Sequence, residues 1–199
     1  MSEVTRRLVL ASASPRRRKL LEEAGFDFDV HVPRIREVLL ARESPDFMAQ
    51  RLAREKAQSI ASSYDSDSCV LGADTAVVLD SSLLGKPRDG MEAVEMLTRL
   101  SGRTHSVLTG YALVVPGSER IVAGVVESRV RMRSISNDEA HSYVATGEPL
   151  DKAGSYALQG IGAKFVEALE GSRSNVIGLP LEAVVPRLES LGVVRTCRT

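Results

Sequence analysis

The sequence predicts an α/β fold with a mixed sheet, and three observations lead there. Short apolar runs alternate with helical segments opened by Ser-Pro, a hairpin pattern follows, and a last helix closes the chain. Arg7 to Ala11 is a short apolar run that reads as a buried strand, and Ser14-Pro15 then opens a helix ending at Gly25. Ser at the cap, Pro at the first helical position and Gly past the end are the expected punctuation. The same device at Ser44-Pro45 starts a helix to about Ser63. Cys69 to Ala73 and Ala76 to Leu79 read as strand segments on either side of Asp74-Thr75. Asp89, with Glu92 three residues on, caps a helix ending near Gly102. Ser106 to Val115 and Ile121 to Arg133 read as a hairpin across Pro116-Gly117. Ser136 with Glu139 caps another helix through about Thr146. After a Gly-rich stretch to Pro180, a last helix runs to about Leu191, and Pro186 either bends it or marks its true start.

No repeat, low-complexity tract or linker interrupts the chain, so residues 1–199 read as one domain, with room for two lobes sharing a core. Lys plus Arg equals Asp plus Glu at 26 each, giving zero formal net charge. Bulk nucleic-acid binding relies on a basic surface that neutralises phosphates, so stable nucleic-acid binding is not expected and anion recognition should be local. No apolar stretch resembles a signal peptide or a membrane span, and Cys69 and Cys197 form neither a disulfide framework nor a zinc spacing. Cys69, in an apolar run, reads as a small core residue and Cys197 as part of a polar tail. The expectation is a cytoplasmic protein without a membrane anchor.

Three places carry candidate chemistry. Ser12-Ala13-Ser14-Pro15-Arg16-Arg17-Arg18-Lys19 stacks four cations at the start of a helix that follows a strand. That end of a helix is already positive, and each exposed cation there costs roughly 0.3–1 kcal/mol. The arrangement makes sense if an anion arrives, held by backbone N–H groups, the Ser12 and Ser14 hydroxyls and a guanidinium. A solvated basic helix face is the alternative. Lys56 shares a helical stripe with Met48, Leu52 and Ile60, so it either snorkels to water or points into a cleft. Asp74 sits between two apolar segments, where a buried carboxylate needs a metal, a cation or hydrogen bonds. It reads as a metal-binding carboxylate or a general base for water, with a turn Asp as the alternative. Gly72 beside it would permit close approach of backbone or ligand.

Glu37, Lys86, Asp151, Lys152 and Gln159 are further candidates, each equally readable alone as a surface or turn residue. His31, His105 and His141 share no spacing that suggests a metal site, and His105 is expected to face solvent. With no Ser or Cys nucleophile motif and no P-loop or kinase motif, direct attack of water on phosphorus with a divalent ion fits this inventory.

Taken together, these segments resemble the Maf family of nucleotide pyrophosphatases, also known as septum-formation inhibitors. The resemblance rests on LASASPRR (Leu10 to Arg17), Glu37 of IRE, LAREKA (Leu52 to Ala57), GADT (Gly72 to Thr75) and GKP (Gly85 to Pro87). It continues through SGRTH (Ser101 to His105), EPLDKAGSYALQG (Glu148 to Gly160) and NVIGLPL (Asn175 to Leu181), in order over nearly the whole chain. Arg36 stands where many relatives carry an acid before the Glu. The resemblance implies a Maf/inosine triphosphatase-like fold: a central mixed twisted sheet flanked by helices, with two lobes around a cleft, and a possible homodimer. It implies hydrolysis of a nucleoside triphosphate to the monophosphate and pyrophosphate with a divalent cation, Mg²⁺, Mn²⁺ or Co²⁺. Asp74 would be the catalytic carboxylate accepting the proton of the attacking water, and Glu37 would help it hold the metal. Ser12, Ser14, Arg16, Arg17, Lys56, Thr75, Lys86, Asp151 and Gln159 would bind substrate.

Subfamilies differ at three of these positions. Arg16, Thr75 and Gln159 are each of the dTTP/UTP type, and Gln159 offers the donor and acceptor that a uracil or thymine edge needs. An acid at that position would suit a cationic purine. The expected substrates are therefore dTTP and UTP, with modified pyrimidine nucleotides as further possibilities. A 7-methyl-GTP-type pyrophosphatase and a non-enzymatic cell-division regulatory binder are the rival readings.

Overall fold

The computed structural model describes residues 5–119 and 121–196. In chain order its elements are β1 (Arg7–Ala11), α1 (Pro15–Glu23), β2 (Phe28–Val30), α2 (Pro45–Ala61), β3 (Ser68–Leu79) and β4 (Ser82–Leu84). They continue as α3 (Gly90–Leu100), β5 (Thr104–Val114), β6 (Ile121–Met132), α4 (Asn137–Val144), β7 (Val166–Glu170), α5 (Arg173–Ile177) and α6 (Leu181–Ser190). Short 3₁₀ turns at Glu148–Asp151, Ala153–Ser155 and Ile161–Phe165 lie between α4 and β7. The strands form one seven-stranded sheet in the order β2-β1-β3-β5-β6-β7, with β4 pairing with β3. It is mixed: β1 is parallel to β2 and β3, whereas β3–β4 and β6–β7 are antiparallel. The expected α/β class with a central mixed sheet flanked by helices is what forms.

The helix starts follow their local chemistry. Ser14 caps α1 by accepting from the Arg17 N–H, Asp89 caps α3 through Glu92, and Ser136 with Glu139 makes a complete capping box on α4. Asp74 departs from expectation: β3 runs unbroken through it, with no turn between two shorter strands. The first half of β3 pairs in parallel with β1 through Ala11–Gly72, and its last residues pair antiparallel with β4 from Val77. Pro186 lies inside α6, so it is not that helix's start. Cys69 is buried as expected, and Cys197 lies outside the described residues.

The chain divides into two compact units. The first comprises Met1–Asp74, Thr109–Val126 and Gly178–Thr199. Its core joins Val9, Ala11 and Val70 of the strands to Ala53, Ala57, Ile60 and Ala61 of α2, with Ala112 and Val114. The helix face is made of alanines because the sheet meets it at glycine. A Cβ on Gly72 would stand 2.2 Å from the Ala53 carbonyl oxygen, and one on Gly110 would stand 2.2 Å from that of Ala49. α2 therefore lies against the sheet at a distance only Gly opposite Ala allows.

The second unit comprises Thr75–Leu108 and Glu127–Ile177. Leu97 and Leu100 of α3, Ala140 and Tyr143 of α4, and Val107, Val130, Met132, Tyr156 and Phe165 fill its core. Asn175, fully buried, donates through its side-chain NH₂ to the Val107 carbonyl at 3.0 Å and to Ser128 Oγ at 2.9 Å, so both of its donor hydrogens find acceptors inside the core. His105 corrects an expectation of exposure. It is 3% exposed, its Nε2 is 2.8 Å from the Tyr156 hydroxyl, and burial lowers its pKa to about 4.

Candidate active site

In the first unit, the close approach of α2 brings Lys56 to Asp74. Ala49, Ala53, Lys56 and Ala57 share one helical face, and a long side chain among alanines crosses the short gap to the strand. Lys56 Nζ lies 2.5 Å from Asp74 Oδ1 and 2.7 Å from Glu37 Oε1. The Lys56 side chain is 9% exposed, that of Asp74 12% and that of Glu37 54%. The snorkelling alternative for Lys56 therefore falls away, because its head is buried against two carboxylates. Glu37 comes from a segment without regular structure, and the salt bridge ties that segment to α2.

Burial pushes the Asp74 carboxyl above its ordinary value, while Lys56 and Arg17 pull the other way and Glu37 adds to the rise. A carboxylate of raised pKa is a better proton acceptor than a solvated one.

The loop between β1 and α1 is arranged around one hydroxyl. Ser12, buried, accepts at Oγ from the Ser14 N–H at 3.1 Å and from an Arg17 terminal nitrogen at 3.2 Å. Arg17 Nε donates to the Gly178 carbonyl at 2.8 Å, which fixes the plane of the guanidinium. Burial lowers the Arg17 pKa, and Asp74 opposes that shift, so charge at the head of α1 and charge at Asp74 feel each other. Arg16 is half-buried on the same first turn. The Ser12 hydroxyl keeps its own proton to donate while accepting from both partners.

In the second unit, Thr75 follows Asp74 on β3 and is half-buried, Lys86 and Asp151 are exposed, and Gln159 is half-buried. The Gly154 N–H donates to the Gly85 carbonyl at 3.0 Å, joining the segment that carries Asp151 and Gln159 to the loop that carries Lys86. Glu148 organises that segment, a role sequence reasoning missed. Its carboxylate accepts from the Tyr143 hydroxyl at 2.8 Å, the Ile161 N–H at 2.9 Å and the Gly162 N–H at 3.0 Å. Lys152 donates to the Glu148 carbonyl at 2.5 Å and pairs with Asp151 at 2.6 Å, so Lys152 is committed within its own loop. The Gly178 carbonyl that holds Arg17 was likewise missed. The signal for Glu148 was its place at the head of a Gly-rich run whose backbone donors need an acceptor.

The structure thus gathers Ser12, Ser14, Arg16, Arg17, Glu37, Lys56 and Asp74 in one unit, and places Thr75, Lys86, Asp151 and Gln159 in the other. Among the described residues there is no group of three or more His, Cys, Asp or Glu side chains able to hold a metal. Among them, too, no helix is long and apolar enough to cross a membrane.

Known proteins resemble this chain over nearly its full length. The family model described as Maf-like protein matches residues 7–191. A dTTP/UTP pyrophosphatase of Myxococcus xanthus is 52% identical over 186 residues, covering 94% of this chain and 93% of its own. One from Desulfotalea psychrophila is 46% identical over 187 residues, covering 94% and 95% respectively. One from Syntrophotalea carbinolica is 47% identical over 189 residues, covering 94% and 86%. This chain belongs to the Maf family.

Proposed function

We propose that this protein is a nucleoside triphosphate pyrophosphatase that hydrolyses dTTP and UTP to the monophosphate and pyrophosphate. The observation that carries the reading is the buried Lys56–Asp74 pair, joined by the more exposed Glu37, beside the cationic start of α1. The similarity to dTTP/UTP pyrophosphatases supports the choice of substrate.

In this reading Asp74 takes the proton of the attacking water at a carboxylate oxygen. Burial, which raises its pKa, makes it a stronger base than a solvated carboxylate. The Ser12 and Ser14 hydroxyls, with Arg16 and Arg17, receive phosphate oxygens at the head of α1, where the helix end already favours an anion. Arg17, pinned to Gly178, presents its guanidinium in one orientation, so less freedom is lost when phosphate binds. Lys56 and Lys86 add positive charge for the triphosphate, and Thr75 and Asp151 contact the substrate. The Gln159 amide presents both a donor and an acceptor to the pyrimidine edge.

A divalent cation, Mg²⁺, Mn²⁺ or Co²⁺, fits Glu37 and Asp74. Two carboxylate oxygens already converge on one cation here, and Mg²⁺ is commonly held by one or two carboxylates together with substrate phosphates and water. When bound, such an ion neutralises phosphate charge and acidifies water.

The test is a comparison of kcat/KM for dTTP, UTP and 7-methyl-GTP, with an Asp74→Asn control. A preference for the two pyrimidine nucleotides that depends on Asp74 is expected. A preference for 7-methyl-GTP would overturn the substrate assignment.

A further inference from the structure

The carboxylates assigned above to a metal already share a cation. Lys56 Nζ stands between Glu37 Oε1 at 2.7 Å and Asp74 Oδ1 at 2.5 Å, with Asp74 on the buried side and Glu37 towards water. Gly72 packed on the backbone of Ala53 and Ala57 anchors the helix under Lys56, so only the flexible four-carbon stem can move the ammonium. Two carboxylates and one ammonium sum to a single negative charge. A divalent ion entering beside a retained ammonium would set three positive charges against two negative ones in a partly desolvated site. Like charges a few ångströms apart repel strongly there.

We propose that Lys56 is a built-in occupant of the divalent-cation position. Metal and ammonium compete for Glu37 and Asp74, and metal entry transfers Lys56 from the carboxylates to the triphosphate. The proposal rests on the reading of Glu37 and Asp74 as the protein ligands of the metal, and it deepens that reading. The absence of a third carboxylate or a histidine within the described cluster supports it, because the remaining ligands must then come from water and phosphate. Two consequences follow. The protein without nucleotide holds a divalent ion weakly, and the polyphosphate's negative charge is what stabilises metal and displaced ammonium together. Until both arrive, Asp74 is capped by Lys56 and does not act on water.

The experiment titrates Mn²⁺ into the protein without nucleotide and counts free hexaaqua Mn²⁺ by EPR. Wild type is compared with Lys56→Met, Lys56→Gln and the Lys56→Met/Asp74→Asn double variant. Lys56→Gln keeps a donor for Asp74 and serves if Lys56→Met does not fold, with circular-dichroism melting as the check. Both neutral variants are expected to bind one Mn²⁺ at least tenfold more tightly than wild type, and the double variant is expected to lose that gain. A wild-type measurement needs no variant: saturating Mg²⁺ alone should speed reductive methylation of Lys56, read by mass spectrometry. Unchanged methylation, or unchanged Mn²⁺ affinity in folded variants, overturns the competition. If Mn²⁺ then still binds with α,β-imido-UTP in an Asp74-dependent manner, the assignment of the metal ligands survives. If no protein binds Mn²⁺ in an Asp74-dependent manner, with or without the analogue, the ligand assignment falls as well.

Discussion

Asp74 and Lys56, eighteen positions apart, meet at 2.5 Å where α2 lies on β3, and Lys56 is the largest influence opposing the rise that burial imposes on the Asp74 carboxyl. Burying either charge without a partner would be costly. Asp74→Asn keeps the shape and removes the basic oxygen, and Lys56 retains its bond to Glu37. We therefore expect the variant to fold, losing less than the roughly 3–5 kcal/mol typical of a buried charge left without any partner. Its kcat should fall by about 10²–10⁴, the usual contribution of a general base. Turnover within a few-fold of wild type would show that Asp74 is not the proton acceptor.

Gly72→Ala tests the close packing that makes the pair possible. The added Cβ would stand 2.2 Å from the Ala53 carbonyl oxygen and 2.8 Å from the Ala57 nitrogen, both backbone atoms that cannot step aside singly. Overpacking of this kind should cost about 3 kcal/mol, seen as a drop of roughly 10 °C in Tm. Activity below the melting range should fall too, because α2 must back away and take Lys56 with it. A melting temperature unchanged within a degree or two would contradict the packing argument.

His105 sets a pH dependence of stability. Burial lowers its folded pKa from 6.5 to about 4, so between those values the unfolded chain binds a proton that the native chain refuses. Stability from this group is complete above pH 6.5 and is lost as pH falls towards 4, by on the order of 3 kcal/mol. His105→Gln, which cannot titrate but can still bond to Tyr156, should flatten denaturant midpoints across that window. Equal pH slopes for the two proteins would remove His105 as the cause.

Gln159→Glu replaces the amide donor with a carboxylate and keeps the size. The expected result is a loss of about tenfold or more in kcat/KM for UTP, the scale of one hydrogen bond lost or made repulsive. Its preference should move towards 7-methyl-GTP. An unchanged substrate ratio would take Gln159 out of base recognition.

These residues also show what a sequence can and cannot disclose. The starts of α1, α3 and α4 were legible because Ser14, Asp89 and Ser136 act within three residues of themselves. β2 and β4, at three residues each, carry no pattern of their own and exist because β1 and β3 offer partners. Lys56 and Asp74 were each visible as a charge in apolar surroundings, but not as a pair, since only the Gly72 contact brings them together. His105 sits among polar neighbours and looked exposed. Its partner Tyr156 lies 51 positions away, beyond any local signal. For Glu148 the Gly-rich run that follows it hints at a need for an acceptor, but its particular donors, Ile161 and Gly162, are 13 and 14 residues on.

The most direct measurement incubates purified protein with Mg²⁺, Mn²⁺ or Co²⁺ and a panel of standard and modified triphosphates, resolving pyrophosphate from orthophosphate. We predict pyrophosphate and the nucleoside monophosphate, released chiefly from dTTP and UTP and greatly slowed by Asp74→Asn. Orthophosphate with a nucleoside diphosphate, or a folded protein silent across the panel, would contradict the account.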